Sequence, residues 1–355
     1  MKHPTPVLSP ALVSRYRQPI MGTAILWIML LHEKTMLPEG LIRGFLLSAL
    51  VIFLDIGVDI FLLISGMGTC RSLSHSFREE DPARGIGRFY LRRCKRILPC
   101  YVLVVVLYCV IRSLYPGDFS WQDVFDQFSL ITFFTRGNLT EWFIAAILLL
   151  YFFSPLLYRV LENGKTGFCV LMAAVAAAAL AIALLSSSGV LQMVNAYFFA
   201  RIPVFMTGML LDDRIRKEAG GFRLRTVVLF CLLLYVPYSL NRLFNGSINE
   251  LCIERLLSWP IALCLTLLLG HFFEKHENSV IYRVCAFLGT LTLELYLTHE
   301  KILKLILHSP LYPIWGSFVP QPVTGAISIL AAIGLSYLLQ QLFRKASGGR
   351  KKKAG

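Results

Sequence analysis

Charged residues are scarce in this sequence: they make up 16% of its 355 residues, against about 25% in soluble domains. The shortage extends over the whole length, and 56% of the residues are hydrophobic. This composition excludes a soluble domain with one membrane anchor. It predicts a polytopic membrane protein of the all-α class, because helices satisfy their own backbone hydrogen bonds in a bilayer.

Paired cysteine motifs are also missing. The nine cysteines are odd in number, and no two stand in a C-x-x-C pair. This pattern argues against a disulfide framework and against a zinc site, and we predict no metal. A net charge of +14 could indicate nucleic acid. Most basic residues lie between apolar runs or at the end of the chain, so membrane orientation explains them better and we expect no nucleic-acid partner.

Apolar runs of roughly 17–25 residues, the length that a bilayer requires, occur ten times. They begin near Pro19, Phe45, Ile97, Leu139, Gly167, Val194, Leu224, Leu251, Val284 and Pro322. Basic residues are concentrated in alternate connections, which by the positive-inside rule places both termini in the cytoplasm. We predict a cytoplasmic N-terminal tail at 1–18, a ten-span membrane domain at 19–343 and a basic cytoplasmic tail at 344–355.

One connection carries a helical pattern of its own. In "WQDVFDQFSLI", residues 121–131, apolar side chains recur at helical spacing with Asp123, Asp126 and Gln127 between them. The pattern predicts an amphipathic helix at the outer membrane interface, or an ordinary packed helix within the connection.

Ionisable side chains inside the predicted spans are costly unless they are paired or hydrated, so each suggests a function. The stretch "AILWIMLLHEKT" ends an apolar run on His32 and Glu33, roughly 20 Å along a helix from Pro19. Counting depth in the same way places several other polar residues in the same outer layer. They are Asp55, Asp59, Glu141, Arg201, Glu254, Arg255 and His299. We expect a polar cavity there, with Arg201 paired to Asp55, Asp59 or Glu294.

At the opposite membrane face, "FYLRRCKRILPCY" places Arg93 and Arg96 three residues apart on one helix face. Arginine binds phosphate through two parallel hydrogen bonds and keeps its charge, so a phosphorylated ligand is a candidate. Basic clusters at cytoplasmic helix ends are also ordinary sorting signals. The residues alone leave both interpretations open.

These segments together resemble the acyltransferase 3 family of integral-membrane O-acyltransferases, over nearly the whole chain. "MGTAILWIMLLHE" is similar to the first span of the family and "GVDIFLLISGMG" to the second. "FYLRRCKRILPCY" is similar to its R-x-x-R block. "EWFIAAILLLYFFSPLL", "RIPVFMTGMLL" and "LGTLTLELYLTHE" follow in the order of the family. Arg17, in "RYRQPIMG", matches a further arginine of the family only loosely.

The resemblance implies transfer of an acyl group, most simply acetyl, from cytoplasmic acyl-CoA to a hydroxyl of an extracytoplasmic or lipid-linked glycan. Acyl-CoA would be a co-substrate, and no tightly bound cofactor is expected. The protein would be a multi-pass protein of the bacterial plasma membrane, in contact with the lipid bilayer. The polar residues in the motifs then acquire expected roles.

The expected catalytic residues are His32 as the base, one of Glu33, Glu294 and Asp55 as its orienting carboxylate, and Arg201, Tyr296 or His299 at the developing oxyanion. Arg93, Arg96, Ser65 and Gly66 would hold the donor. Asp55, Asp59 and Trp142 would hold the acceptor. No G-x-S-x-G elbow is present, which favours direct transfer without an acyl-serine.

Two alternatives remain at this stage. A secondary transporter or flippase of a polysaccharide system fits ten spans and buried charges equally well. A scaffold subunit of a polysaccharide export system is the third possibility.

Overall fold

A computed structural model describes residues 7–33, 54–115, 120–218, 220–244 and 248–352. Helices dominate this part of the chain. The first eight are α1 Pro10–Arg15, α2 Arg17–His32, α3 Gly57–Ser76, α4 Pro82–Ser113, α5 Trp121–Phe128, α6 Ile131–Arg136, α7 Trp142–Asn163 and α8 Lys165–Leu185. They are followed by α9 Gly189–Tyr197, α10 Ile202–Arg216, α11 Leu224–Phe244, α12 Ile248–Lys275, α13 Val280–Thr290, α14 Thr292–Leu307, α15 Tyr312–Trp315 and α16 Gln321–Lys352. Strands β1 Val7–Leu8 and β2 Phe222–Arg223 pair antiparallel, with Val7 opposite Arg223.

Helix starts follow local sequence signals. Asp81 accepts a hydrogen bond from the backbone of Arg84, and Pro82 takes the first helical position of α4, where its missing N–H costs nothing. The helix therefore begins 15 residues before Ile97, the expected start of the third span. Arg93 and Arg96 consequently lie inside a continuous helix.

The membrane class is confirmed by helix length and composition. In the described residues, six helical stretches are long and apolar enough to cross a bilayer when α9 and α10 are counted together as one stretch. The number is seven if α13 and α14 also count as one broken span. Helix α2 has 16 residues and falls short of the usual spanning length. The expected start of the second span at Phe45 lies outside the described residues. The count of ten spans and the cytoplasmic termini stay predictions.

The ninth predicted span is broken rather than continuous. Helices α13 and α14 meet at an angle of 83°. Thr290 and Thr292 at the junction are weak helix formers, and Gly289 is weaker still. A Cβ on Gly289 would lie 2.0 Å from the carbonyl oxygen of Gln18, so α2 approaches at backbone contact. Gln340 Nε2 donates to the carbonyl oxygen of Thr290 at 2.5 Å and so satisfies a carbonyl at the break.

The sixth predicted span is also interrupted, at Arg201. A 3₁₀ turn at Phe199–Arg201 separates α9 from α10, and Pro203 lies in the first turn of α10. Arg201 therefore projects from an irregular turn into the protein, where it is 1% exposed.

The predicted amphipathic helix is present as α5. Ser120 and Asp123 form a capping box. The Ser120 hydroxyl accepts a hydrogen bond from the backbone N–H of Asp123, and the Asp123 carboxylate accepts one from the backbone N–H of Ser120. Hydrogen bonds from the Ser120 backbone and hydroxyl lower the pKa of Asp123, because they favour the charged carboxylate.

Glycines allow the helices that carry the site to approach closely. A Cβ on Gly66 of α3 would lie 2.0 Å from the carbonyl oxygen of Phe205, and one on Gly208 of α10 would lie 1.9 Å from that of Leu63. Similarly, a Cβ on Gly22 of α2 would lie 1.7 Å from the carbonyl oxygen of Cys285 on α13. Such small-residue contacts fix helix positions in membrane proteins.

Candidate active site

Two cavities meet inside the helix bundle. The larger, here called the histidine chamber, has a volume of about 500 Å³. Its polar and aromatic lining comprises His32, Asp55, Glu141, Trp142, Tyr197, Arg201, Arg255, Tyr296, His299, Glu300 and Lys301. The smaller, here called the arginine chamber, measures about 70 Å³. Its lining includes Arg17, Ser65, Arg93, Arg96, Phe143, Tyr151, Thr292 and Tyr296.

The histidine chamber contains a pair of imidazoles. His32 at the end of α2 and His299 in α14 have ring centroids 5.0 Å apart. His299 Nδ1 lies 2.8 Å from the carbonyl oxygen of Leu295. A carbonyl can only accept, so Nδ1 carries the hydrogen and Nε2 keeps its lone pair. This Nε2 is buried and makes no hydrogen bond to the described residues, so it is available as a proton acceptor.

Every cation that lines the histidine chamber lies beside a carboxylate. The pairs are Arg255 with Asp55 at 2.8 Å, Arg201 with Asp59 at 3.3 Å and Lys301 with Glu141. Glu300 in turn pairs with Lys304 at 2.7 Å. Among the three partners that the sequence allows for Arg201, the structure selects Asp59. The Ser258 hydroxyl donates a further hydrogen bond to Asp59 at 2.8 Å.

Arg201 also holds aromatic rings in place. Its guanidinium carbon lies 4.9 Å from the ring centroid of Trp142 and 5.8 Å from that of Tyr197. Both rings line the histidine chamber, so this cation–π contact couples the buried ion pair to the chamber wall. Asp55 and Trp142 thus reach the chamber, whereas Asp59 lies behind it and is 0% exposed.

Three arginines, Arg17, Arg93 and Arg96, make the lining of the arginine chamber positively charged. Arg93 donates to the carbonyl oxygen of Gly68 at 3.2 Å and lies over the Tyr151 ring, 4.6 Å from its centroid. Arg17 lies close enough to Arg93 and Arg96 to be repelled by their charges. Within the described parts of the chain, none of these three arginines is ion-paired with a carboxylate. The chamber therefore suits an anion.

One aromatic pair separates the two chambers. Tyr296 lines both of them. Its ring centroid lies 4.7 Å from that of Phe143, which faces the arginine chamber, and 5.9 Å from that of His299. A group that passes from the arginines to the histidines has to pass beside Tyr296.

A comparison with protein families decides the class of this chain. The profile of acyltransferase 3, described as an acyltransferase domain, matches residues 22–341. The chain belongs to the acyltransferase 3 family. The match covers nearly the whole chain and includes all of the histidine chamber and most of the arginine chamber, so the protein is a membrane acyltransferase. Searches of curated proteins and of solved structures find no match.

Besides Asp59, three predicted site residues of the acyltransferase lie away from the chambers. Gly66 packs against α10, on the face of α3 turned from the arginine chamber. Glu33 lies beside Ser328 of α16 and does not line the histidine chamber. Glu294 lies in a third cavity, because two residues on a helix rotate the side chain about 200° away from Tyr296. Neither Glu33 nor Glu294 lines the histidine chamber. Asp55, the third carboxylate considered for His32, does line it and is paired with Arg255.

Two residues of the acyltransferase site were missed by sequence reasoning or left without a role. Glu300 lines the histidine chamber and lies within electrostatic range of both His32 and His299. The sequence feature that could have identified Glu300 is its position directly after His299 in "THEK". Arg17 lines the arginine chamber although its motif match is loose. The sequence feature that could have identified Arg17 is its position at the start of the helix that ends on His32.

Proposed function

We propose that this membrane acyltransferase transfers an acyl group, most simply acetyl, from acyl-CoA to a hydroxyl of a glycan or lipid-linked saccharide. One observation carries the proposal: a chamber with three arginines that form no carboxylate ion pair within the described residues meets a chamber with two histidines at Tyr296. A group-transfer enzyme with a phosphorylated donor needs both environments within reach of each other.

The donor side fits the phosphates of CoA. Arg17, Arg93 and Arg96 supply charge-assisted hydrogen bonds to phosphate oxygens. The first turn of α14 borders the same chamber through Thr292, and no side chain caps its backbone N–H groups. Such a helix start favours a nearby anion.

The separation of the chambers suits a donor with a long arm. His32 lies fifteen residues after Arg17 on α2, which is about 22 Å along the helix. A donor bound by its phosphates at Arg17 reaches His32 only if its reactive end is carried on an extended chain. The pantetheine arm of CoA has this character and would pass Ser65 and the Phe143–Tyr296 pair.

The histidine chamber supplies the base. In the proposed reaction the acceptor oxygen attacks the thioester carbonyl carbon while His32 takes the hydroxyl proton. The carbon–sulfur bond then breaks, and the leaving CoA thiolate takes the proton from His32, which returns the imidazole to its neutral form. His299, with Nε2 as an acceptor, shares the proton taken up by His32. Glu300 stabilises the imidazolium, the role that a carboxylate has beside a catalytic histidine.

Tyr296 is the proposed oxyanion donor. It lies where the donor and acceptor meet, and its hydroxyl can donate to the carbonyl oxygen as negative charge develops. Arg201 is a poorer choice because Asp59 already compensates its charge. We assign Arg201 to the support of Trp142 and Tyr197.

The acceptor is proposed to be a sugar hydroxyl. A volume of about 500 Å³ falls within the range of small-molecule pockets. Trp142 and Tyr197 provide apolar faces, and the surrounding ion pairs provide hydrogen-bonding groups that can accept or donate to several hydroxyls. The location proposed for the protein is the bacterial plasma membrane, with the histidine chamber on the outer side.

Broken helices are typical of transporters as well, and two predicted spans are broken here. Both breaks position residues that line the histidine chamber. Arg201 lies at one break, and the helix that follows the other break carries Tyr296 and His299. Membership of the acyltransferase 3 family favours the enzyme over the transporter.

The proposal is tested with purified protein in liposomes, radiolabelled acetyl-CoA and an alkyl glucoside as the hydroxyl acceptor. His32→Ala should abolish formation of the acetylated glucoside. His308→Ala is the matched control, because His308 is exposed and outside both chambers. Transfer by His32→Ala at the control rate would contradict the base assignment. Movement of unmodified glucoside across the membrane without consumption of acetyl-CoA would contradict the enzyme.

A further inference from the structure

A third cavity opens beside the arginine chamber. It measures about 400 Å³ and lies between α4, α16 and the start of α14. Its lining comprises Lys95, Arg96, Pro99, Cys100, Glu294, Gln340, Phe343 and Arg344, and it is called the Arg344 cavity below. Arg96 lines this cavity and the arginine chamber alike, so the two are neighbours.

The two cavities lie on the same side of the protein relative to the histidines. Glu294 precedes His299 by five residues, so it lies about 7.5 Å further along α14 toward the arginines. Gln340 Nε2 is held by the carbonyl oxygen of Thr290 at the helix break, which fixes the amide at the cavity wall. The Arg344 cavity therefore continues the arginine chamber past the start of α14.

The lining is mixed in a way that suits a nucleotide. Lys95, Arg96 and Arg344 provide positive charge for phosphate. Phe343 provides an aromatic ring, and aromatic rings stack on the faces of bases. Glu294 accepts hydrogen bonds only, as does the remaining oxygen of the Gln340 amide. The exocyclic amino group of adenine is a donor that matches both of these acceptors.

We infer that the Arg344 cavity binds the adenosine 3′-phosphate end of the CoA donor. The inference rests on the proposed function. In this arrangement the pyrophosphate lies at Arg96 and its neighbours, the pantetheine arm extends toward Tyr296, and the nucleotide turns into the Arg344 cavity. Glu294 then recognises the adenine amino group and has no part in the chemistry.

An anionic lipid headgroup is the competing occupant, because basic pockets at helix ends also attract such lipids. The acceptors in the lining favour the nucleotide. The adenine amino group can donate a hydrogen bond to Glu294, whereas a lipid phosphate offers that carboxylate no donor. The aromatic ring of Phe343 also has a clear partner in a base.

The direct test measures binding of adenosine 3′,5′-bisphosphate to the purified protein by calorimetry. Wild-type protein and Lys345→Gln should bind it equally, because Lys345 is exposed and outside the cavity. Arg344→Gln and Glu294→Ala should each weaken binding roughly tenfold, the scale of one charge-assisted hydrogen bond. Equal binding by all four proteins, or none by the wild type, would overturn the inference.

The kinetic test compares two donors, acetyl-CoA and acetyl-4′-phosphopantetheine, which lacks the nucleotide. Arg344→Gln should raise KM for acetyl-CoA roughly tenfold and leave KM for the truncated donor unchanged. An equal rise for both donors would show a merely structural role and overturn the inference. A change only in the dependence on anionic lipid would show a lipid site and overturn it too.

The two tests separate failure of this inference from failure of the proposed function. If the wild type transfers acetyl from both donors with equal KM, the inference is wrong and the proposed function stands. If it transfers acetyl from neither donor, the proposed function is wrong. Selective binding of the bisphosphate would then still identify a nucleotide site.

Discussion

Removing the charge of Asp59 should destabilise the protein severely. Arg201 is 1% exposed and Asp59 is 0% exposed, and their charged groups lie 3.3 Å apart. The substitution Asp59→Asn leaves the guanidinium buried without a compensating charge. Breaking a buried ion pair from one side costs about 3–5 kcal/mol. For a chain of this size, we expect the unfolding midpoint to fall by about 4–7 °C.

The assay is thermal unfolding of the purified variants in one detergent, at one protein concentration and scan rate. Asp126→Asn is the matched control, because its pair with Arg136 spans 3.8 Å and the Arg136 side chain is 58% exposed. Exposed pairs contribute about 0–1 kcal/mol, so this control should shift the midpoint by about 2 °C or less.

A double variant separates the two roles of the pair. Asp59→Leu combined with Arg201→Met replaces both charges by apolar groups, which is often close to neutral for stability. The unfolding midpoint of the double variant should therefore lie close to that of the wild type. Acyl transfer should stay low, because Trp142 loses its contact with the guanidinium of Arg201. The reasoning would be refuted if Asp59→Asn and Asp126→Asn shifted the midpoint equally.

Three further predictions concern the candidate site and α5. Glu300→Gln should lower kcat at least about tenfold in the liposome assay, because the carboxylate no longer stabilises the imidazolium of His32. The donor KM should stay unchanged. Arg93→Gln with Arg96→Gln should raise the donor KM about a hundredfold and leave the acceptor KM unchanged. The lowered pKa of Asp123 stabilises α5 above the unfolded pKa of about 4, so the hydrogen-exchange protection factors of the amides at 121–128 should fall as the pH drops below that value. Ser120→Ala should remove this pH dependence, and unchanged exchange would contradict the role of the cap.

The sequence was sufficient to predict features that depend on local spacing. The period of a helix and the length of a span place His32 and His299 at one depth, and the structure brings their rings within 5.0 Å. The helical spacing of apolar residues in 121–131 likewise predicts α5. The ordered motifs predict the acyltransferase 3 family, which the family comparison confirms.

Features that depend on contacts between helices could not be predicted in this way. Depth counting left three partners for Arg201, and only packing decides among neighbours on different helices. Gly66 belongs to a motif beside the donor site, but its missing side chain admits α10 rather than a ligand. Glu294 and Tyr296 are close in sequence, yet the α13–α14 break sets which of them faces the chambers.

The pairing of charges in the histidine chamber has a consequence for the kinetics of association. Each lining cation there is matched by a carboxylate, whereas Arg17, Arg93 and Arg96 have no such partner in the described residues. A neutral chamber exerts little long-range attraction, but a positive one steers anions in an ionic-strength-dependent way. Added salt should therefore slow capture of the donor and leave capture of a neutral acceptor almost unchanged.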